Sequence, residues 1–200
     1  MLLGTDDRAA PMNGRETGRR GFLTFAAATL TALAVPALVP AAPALAAPLT
    51  GGVRRLSLHN VNTNEHFSGV YWADGAYRPD ALKKLDVLLR DHRAKQVCRF
   101  DPRLFDVLAR LHRTLDSDEP FRVICGYRSR RTNAMARRRS RGVAKESYHT
   151  RGMAIDVMLP DVELKAIAAA ARGMEAGGVG FYPRSGFVHI DTGKPRFWTR

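Results

Sequence analysis

The chain has 200 residues, 45% of them hydrophobic, with 32 Lys+Arg against 19 Asp+Glu and a formal net charge of +13. That excludes a disordered or fibrous chain and is enough for one compact domain with a real core, with little room for a second. The basic excess favours contact with something acidic, whether nucleic acid, anionic lipid or an anionic polymer, and says nothing about the fold.

The N-terminal stretch reads as a targeting segment. Arg15, Arg19 and Arg20 form a basic head, an alanine-rich apolar run extends from Phe22 to about Leu38, and Ala44-Leu45-Ala46 is a small-residue cleavage signal. Paired arginines before Phe22-Leu23 predict twin-arginine export. Residues 1–46 are therefore expected to be a signal peptide, leaving an exported, periplasmic, monomeric protein of residues 47–200. Pro36, Pro40 and Pro43 interrupt the apolar run, so no transmembrane segment is expected after cleavage. Cleavage removes four arginines and three acids, one net charge, leaving +12. In an oxidising compartment Cys98 and Cys125 are either disulfide partners or isolated buried thiols.

Arg54 to Val61 alternates as a strand, Asn62-Thr63-Asn64 reads as a turn, and Glu65 to Trp72 as the returning strand. Pro79 to His92 predicts a helix with Leu82, Leu85, Leu88 and Leu89 on one face. Asp101-Pro102 caps a second helix whose stripe is Leu104, Val107, Leu108, Leu111 and Leu115. Phe121 to Cys125 is a short strand, and Ser129 to about Arg139 a helix. Met153 to Met158 is a strand, and Asp161 is expected to cap a helix running to about Arg172. Short strands near Val179 and at Phe187–Asp191 follow the Gly177-Gly178 break. Irregularly interleaved elements with hairpin-like pairs at both ends predict an α+β fold, a small antiparallel sheet packed by helices.

Three positions stand out for chemistry: His149, Asp156 and His189. Gly152 permits a tight bend that folds the loop histidine back toward the strand carrying Asp156. Two imidazoles and a carboxylate form a three-ligand set that leaves one position open, the pattern of catalytic rather than structural zinc. By spacing alone, a capped turn with a satisfied histidine explains the same residues.

Cys125-Gly126-Tyr127-Arg128-Ser129, Thr132-Asn133, Ser147-x-His149-x-x-Gly152-x-Ala154-x-Asp156 and Phe187-Val188-His189-x-Asp191 together resemble the murein endopeptidase K family. That family belongs to the zinc peptidases related to D-alanyl-D-alanine carboxypeptidases, lysostaphin and the hedgehog signalling domain. The resemblance runs from about Arg54 to Trp198. It implies the hedgehog-like fold, Zn2+ on His149, Asp156 and His189, and hydrolysis of amide bonds in the peptide stems or cross-links of peptidoglycan. The alternative is a zinc-containing wall-binding module without catalysis. Arg128 matches an arginine that faces the substrate carbonyl or carboxylate; Tyr127 and Ser147 fall beside it as substrate contacts. Cys125 stands where the family more often has serine. The general base is not marked: where relatives carry a glutamate or a histidine, this chain has Gly186 and Phe187. Asp191 is the expected catalytic carboxylate, or else the group that orients an imidazole. Glu146, Tyr148 and His66 are further candidates.

Seven arginines lie between Arg128 and Arg141. Aromatic readers are missing beyond Tyr127, so nucleic acid is not expected as a partner; the run is expected either to dock on an anionic wall polymer or membrane surface or simply to form the solvated face of an exposed helix.

Overall fold

The computed structural model describes residues 52–140 and 142–200; the leader expected over 1–46 lies outside them. In chain order the elements are β1 Arg54–Asn60, β2 Glu65–Ala73, β3 Ala76–Tyr77, α1 Pro79–Leu88, α2 Pro102–Leu115, β4 Phe121–Cys125 and α3 Arg130–Arg139. A 3-10 turn, Tyr148–Arg151, precedes β5 Ala154–Met158, α4 Leu164–Gly173, β6 Gly178–Tyr182, β7 Phe187–Asp191 and β8 Arg196–Thr199.

The fold is α+β, and the strands form a single sheet in the order β3-β2-β1-β4-β5-β7-β6-β8. The sheet is larger than the sequence predicts and mixed rather than wholly antiparallel. β1 runs parallel to β4, and β6 parallel to β8. The connection from β1 to β4 contains a hairpin and two helices, long enough for the crossover a parallel neighbour needs.

Helices α1, α2 and α4 pack on β2, β1, β6 and β7. Leu85 and Leu88 of α1, Leu104, Phe105, Leu108 and Leu111 of α2 and Ile167 of α4 meet Leu58, Phe121, Val123, Ile155, Val157, Val188 and Ile190 of the strands. Burying one such side chain fully contributes about 1.5–3 kcal/mol. Because side chains alternate along a strand, this core also fixes the opposite face. Ile155 and Val157 point into it, so Asp156 points away; Val188 and Ile190 do the same for His189.

Two helix ends differ from the sequence reading. α1 stops at Leu88 because Asp91 builds its own turn: its backbone pairs with Gln96, and its Oδ1 accepts from Arg93 N and Ala94 N. α4 begins after Glu163, while Asp161 accepts the Ser117 hydroxyl instead of capping. Asp101 caps α2 as expected, accepting from Arg103 N. Cys98 and Cys125 are both free thiols. Among the described residues, no helix is long and apolar enough to cross a membrane.

Candidate metal centre

β5 and β7 are antiparallel neighbours with Asp156 directly opposite His189. Opposed residues on adjacent strands share a face with Cβ atoms about 5 Å apart. Asp156 Oδ1 accordingly lies 2.8 Å from His189 Nδ1. His149 arrives from the 3-10 turn, which ends on Gly152 in the left-handed conformation, φ 64°. A Cβ there would lie 2.5 Å from the Arg99 carbonyl oxygen, so glycine is required by both conformation and space. The bend brings His149 Nε2 within 3.2 Å of Asp156 Oδ1 and 3.1 Å of His189 Nδ1. All three residues are buried.

The outer ring nitrogens fix the tautomers. His149 Nδ1 lies 2.7 Å from the Gly126 carbonyl, which can only accept, so Nδ1 carries the proton and Nε2 presents a lone pair. His189 Nε2 lies 3.0 Å from Asp191 Oδ2, so Nε2 donates and Nδ1 faces Asp156 and His149. Burial opposes charge on Asp191, but hydrogen bonds from His189, Arg196 and Gly193 N prevail and hold the carboxyl far below the usual range. Asp156 is likewise held ionised: burial raises it, and the charges and hydrogen bonds of His149 and His189 overcome that. Two imidazole lone pairs and a carboxylate oxygen thus converge on one point.

Three acceptors at such distances repel unless a cation or an added proton lies among them. With only protons available, His189 takes one: burial resists its charge, but hydrogen bonds to Asp156 and Asp191 lift it to about 9. Burial, the largest influence, keeps His149 below its ordinary value. A tetrahedral ion with ligands at about 2.0–2.1 Å has ligand–ligand edges of roughly 3.3 Å, close to the separations here. The donor set therefore fits a metal ion, which His149 Nε2, His189 Nδ1 and Asp156 Oδ1 would hold, each histidine oriented by an acceptor on its far nitrogen.

Cys125 is a further member of the cluster. It pairs with Asp156 across β4–β5, and its Sγ and the donor atoms of His149 and Asp156 all lie within 4.8 Å of one another. Burial first, then the Asp156 charge, pushes this thiol up to about 12.

The centre opens onto a groove of about 880 Å3 that Arg128, Ser147, Tyr148, Phe187, Trp198 and Arg196 help to line. Arg128 Nη2 donates to Ser147 Oγ at 3.2 Å, and its Nε has no protein partner. Two of the three expected substrate contacts, Arg128 and Ser147, therefore lie at the groove. Tyr127, the third, packs partly buried against the hydrophobic core and does not line this groove. Glu146 and Tyr148 line the groove, whereas His66 stacks on His59 of the β1–β2 hairpin.

Asp191, expected as the catalytic carboxylate, is 1% exposed and sits behind His189, on the ring nitrogen turned away from the convergence point. Its Oδ1 accepts from Gly178 N and Gly193 N, and both oxygens accept from the Arg196 guanidinium. Of the two roles open to it, this geometry supports orienting the imidazole.

The sequence reading missed β8 and the wall it builds. Trp198 lies opposite Gly180, where a Cβ would stand 2.6 Å from the indole. Its ring is 5.3 Å from that of His189, and its Nε1 donates to Tyr182 Oη at 2.9 Å. The aromatic, β-favouring run Phe197-Trp198-Thr199 was the available signal.

Comparison with known proteins places these residues in a family context. Residues 49–198 match the family model described as Peptidoglycan L,D-endopeptidase MepK. The chain is 43% identical over 187 residues to the peptidoglycan L,D-endopeptidase MepK of Escherichia coli (strain K12), covering 94% of this chain and 100% of that protein. It is 42% identical over 188 residues to the probable peptidoglycan L,D-endopeptidase MepK of Haemophilus influenzae, covering 94% of this chain and 98% of that protein.

Proposed function

The chain belongs to the peptidoglycan L,D-endopeptidase MepK family, and on that premise we propose that it is an exported zinc peptidase that hydrolyses L,D amide bonds in peptidoglycan cross-links. The observation that carries the reading is the convergence of His149 Nε2, His189 Nδ1 and Asp156 Oδ1 within 3.2 Å, with the far nitrogen of each imidazole held by an acceptor. Zinc held by these residues would supply Lewis-acid polarisation of the scissile carbonyl and would lower the pKa of water.

The chain's own residues do the rest. Gly126 O and Asp191 hold the two imidazoles in register, so the donors need no rearrangement. Arg128, tied to Ser147, presents a permanent cation to the substrate carbonyl or carboxylate and to the oxyanion that develops from it. Phe187 and Trp198 give the groove apolar walls beside His189. The signal segment 1–46 delivers the protein to the compartment where this substrate lies.

The test is digestion of purified cross-linked peptidoglycan by residues 47–200, with zinc or with chelator, read by muropeptide chromatography and mass. The expected result is zinc-dependent loss of the L,D-cross-linked species, absent in His189→Ala. Zinc at one per chain with no cleavage under any condition would replace this reading with a wall-binding module; no cleavage and no zinc would remove the metal as well.

A further inference from the structure

Helix α3 takes no part in the proposed hydrolysis. Five of its ten residues are arginine and none is acidic. Arg130, Arg131, Arg137, Arg138 and Arg139 are all exposed, and none forms an ion pair among the described residues. Arg54, Arg78, Arg90, Arg103, Arg151 and Arg196 each meet a carboxylate. Like charges crowded on one helix oppose its formation, relieved only partly where they sit at its C-terminal end.

Core packing does not compensate. The helix buries only Thr132 and Asn133. It is fastened by polar contacts: the Ser129 hydroxyl accepts from Thr132 N, and the Asn133 amide donates to Ala144 O and Lys145 O. Those last bonds tie it to the segment that lines the groove, and its C-cap, Ser140, is itself a lining residue. The ridge of charge is thus continuous with the candidate active site, whose lining also includes Arg184 and Arg200.

The spacing of the charges selects a kind of partner. Successive helix residues are rotated by about 100°, so Arg137, Arg138 and Arg139 fan apart and cannot converge on one small anion. Arg130 and Arg137, and likewise Arg131 and Arg138, lie two turns apart on the same side, roughly 10 Å along the axis. That is about one Debye length at physiological salt, so each charge acts as a separate contact. Such a ladder suits an extended polymer with repeated anionic groups. An interfacial membrane helix would also need an apolar face, and α3 offers only Met135 and alanines.

We propose that α3 is a docking ridge for the carboxylate-bearing peptide stems of polymeric peptidoglycan, engaging stems beyond the one being cut. This rests on the peptidoglycan reading given above. The ridge adds affinity for the insoluble polymer without touching the reacting bond.

The experiment uses zinc-loaded protein of residues 47–200 and two variants, Arg137→Ser/Arg138→Ser/Arg139→Ser and the same three positions changed to lysine. Each is assayed for pelleting with insoluble sacculi, for sacculus hydrolysis at low and high salt, and for hydrolysis of a soluble cross-linked muropeptide dimer. The serine variant is expected to lose about tenfold in sacculus binding and hydrolysis at low salt, while its kcat/KM on the soluble dimer stays within about twofold. The lysine variant is expected to behave as the parent. Equal sacculus binding by the serine variant and the parent, or equal losses on both substrates, would overturn the proposal. Loss of binding to phosphatidylglycerol vesicles, with sacculus hydrolysis retained, would overturn it in favour of a membrane. Failure of the parent to cut the soluble dimer would sink the peptidase reading alone, because sacculus pelleting still reports on the ridge.

Discussion

Asp191 shows how one buried carboxylate can set the chemistry of a neighbour. It accepts from His189, two backbone amides and Arg196, and through the first of these it decides which imidazole nitrogen faces the cluster. Asp191→Asn keeps the shape but weakens that control, so zinc affinity is expected to fall about 10- to 100-fold, with most turnover restored at saturating zinc. Turnover that stays lost at saturating metal would instead make Asp191 the proton acceptor. Cys125 and His189 both place a donor atom beside His149 and Asp156. Cys125→Ser is expected to retain one zinc per chain by elemental analysis, and His189→Ala to lose it. The reverse result would assign the site to the thiol. His189 and Asp191 are two apart on a strand, so their shared face was legible in the sequence. Which side of the ring the carboxylate takes was not, because it depends on Arg196 and on two amides brought in by the fold.

At the scale of elements, the short link between the 3-10 turn and β5 does most to assemble the centre. Gly152 turns the chain in a conformation unfavourable to other residues, against the Arg99 carbonyl. Gly152→Ala is expected to destabilise by at least ~2 kcal/mol in denaturant unfolding and to lower zinc affinity, since it moves His149 relative to Asp156. Motif and bend were both readable here, as were β5 and β7 from their buried β-branched residues. β8 escaped notice because it is short and mostly exposed, and the two-residue β3 has no periodicity to read. The end of α1 was misjudged because the Asp91 turn competes with a helix that leucine spacing alone would continue.

Across the whole molecule, one sheet separates core from chemistry: helices cover the face that Ile155 and Val188 share, and the donors occupy the other. Several carboxylates sit at the joints of this arrangement. Asp91 and Asp101 are both held below their ordinary values: burial opposes their charge, but hydrogen bonds from Thr132 and Ser129 to the first, and from Arg103 and Thr192 to the second, prevail. A depressed folded-state pKa contributes stability that is present above the unfolded value, near 4, and lost as pH falls through the folded one. Thermal stability is therefore expected to drop below about pH 4. Asp91→Asn should be less stable near neutrality by about 1–3 kcal/mol and lose less on acidification. Equal pH slopes for the two proteins would contradict this. The metal centre also has a mechanical meaning. Its donors are 7 and 33 residues apart in the chain, so an ion held by all three would close a small loop and, directly after it in the chain, a larger one that contains α4 and β6. With both thiols unpaired, such an ion would be a removable cross-link. Stripping it with chelator should speed amide hydrogen exchange in α4 and β6 well before α1 and α2 respond.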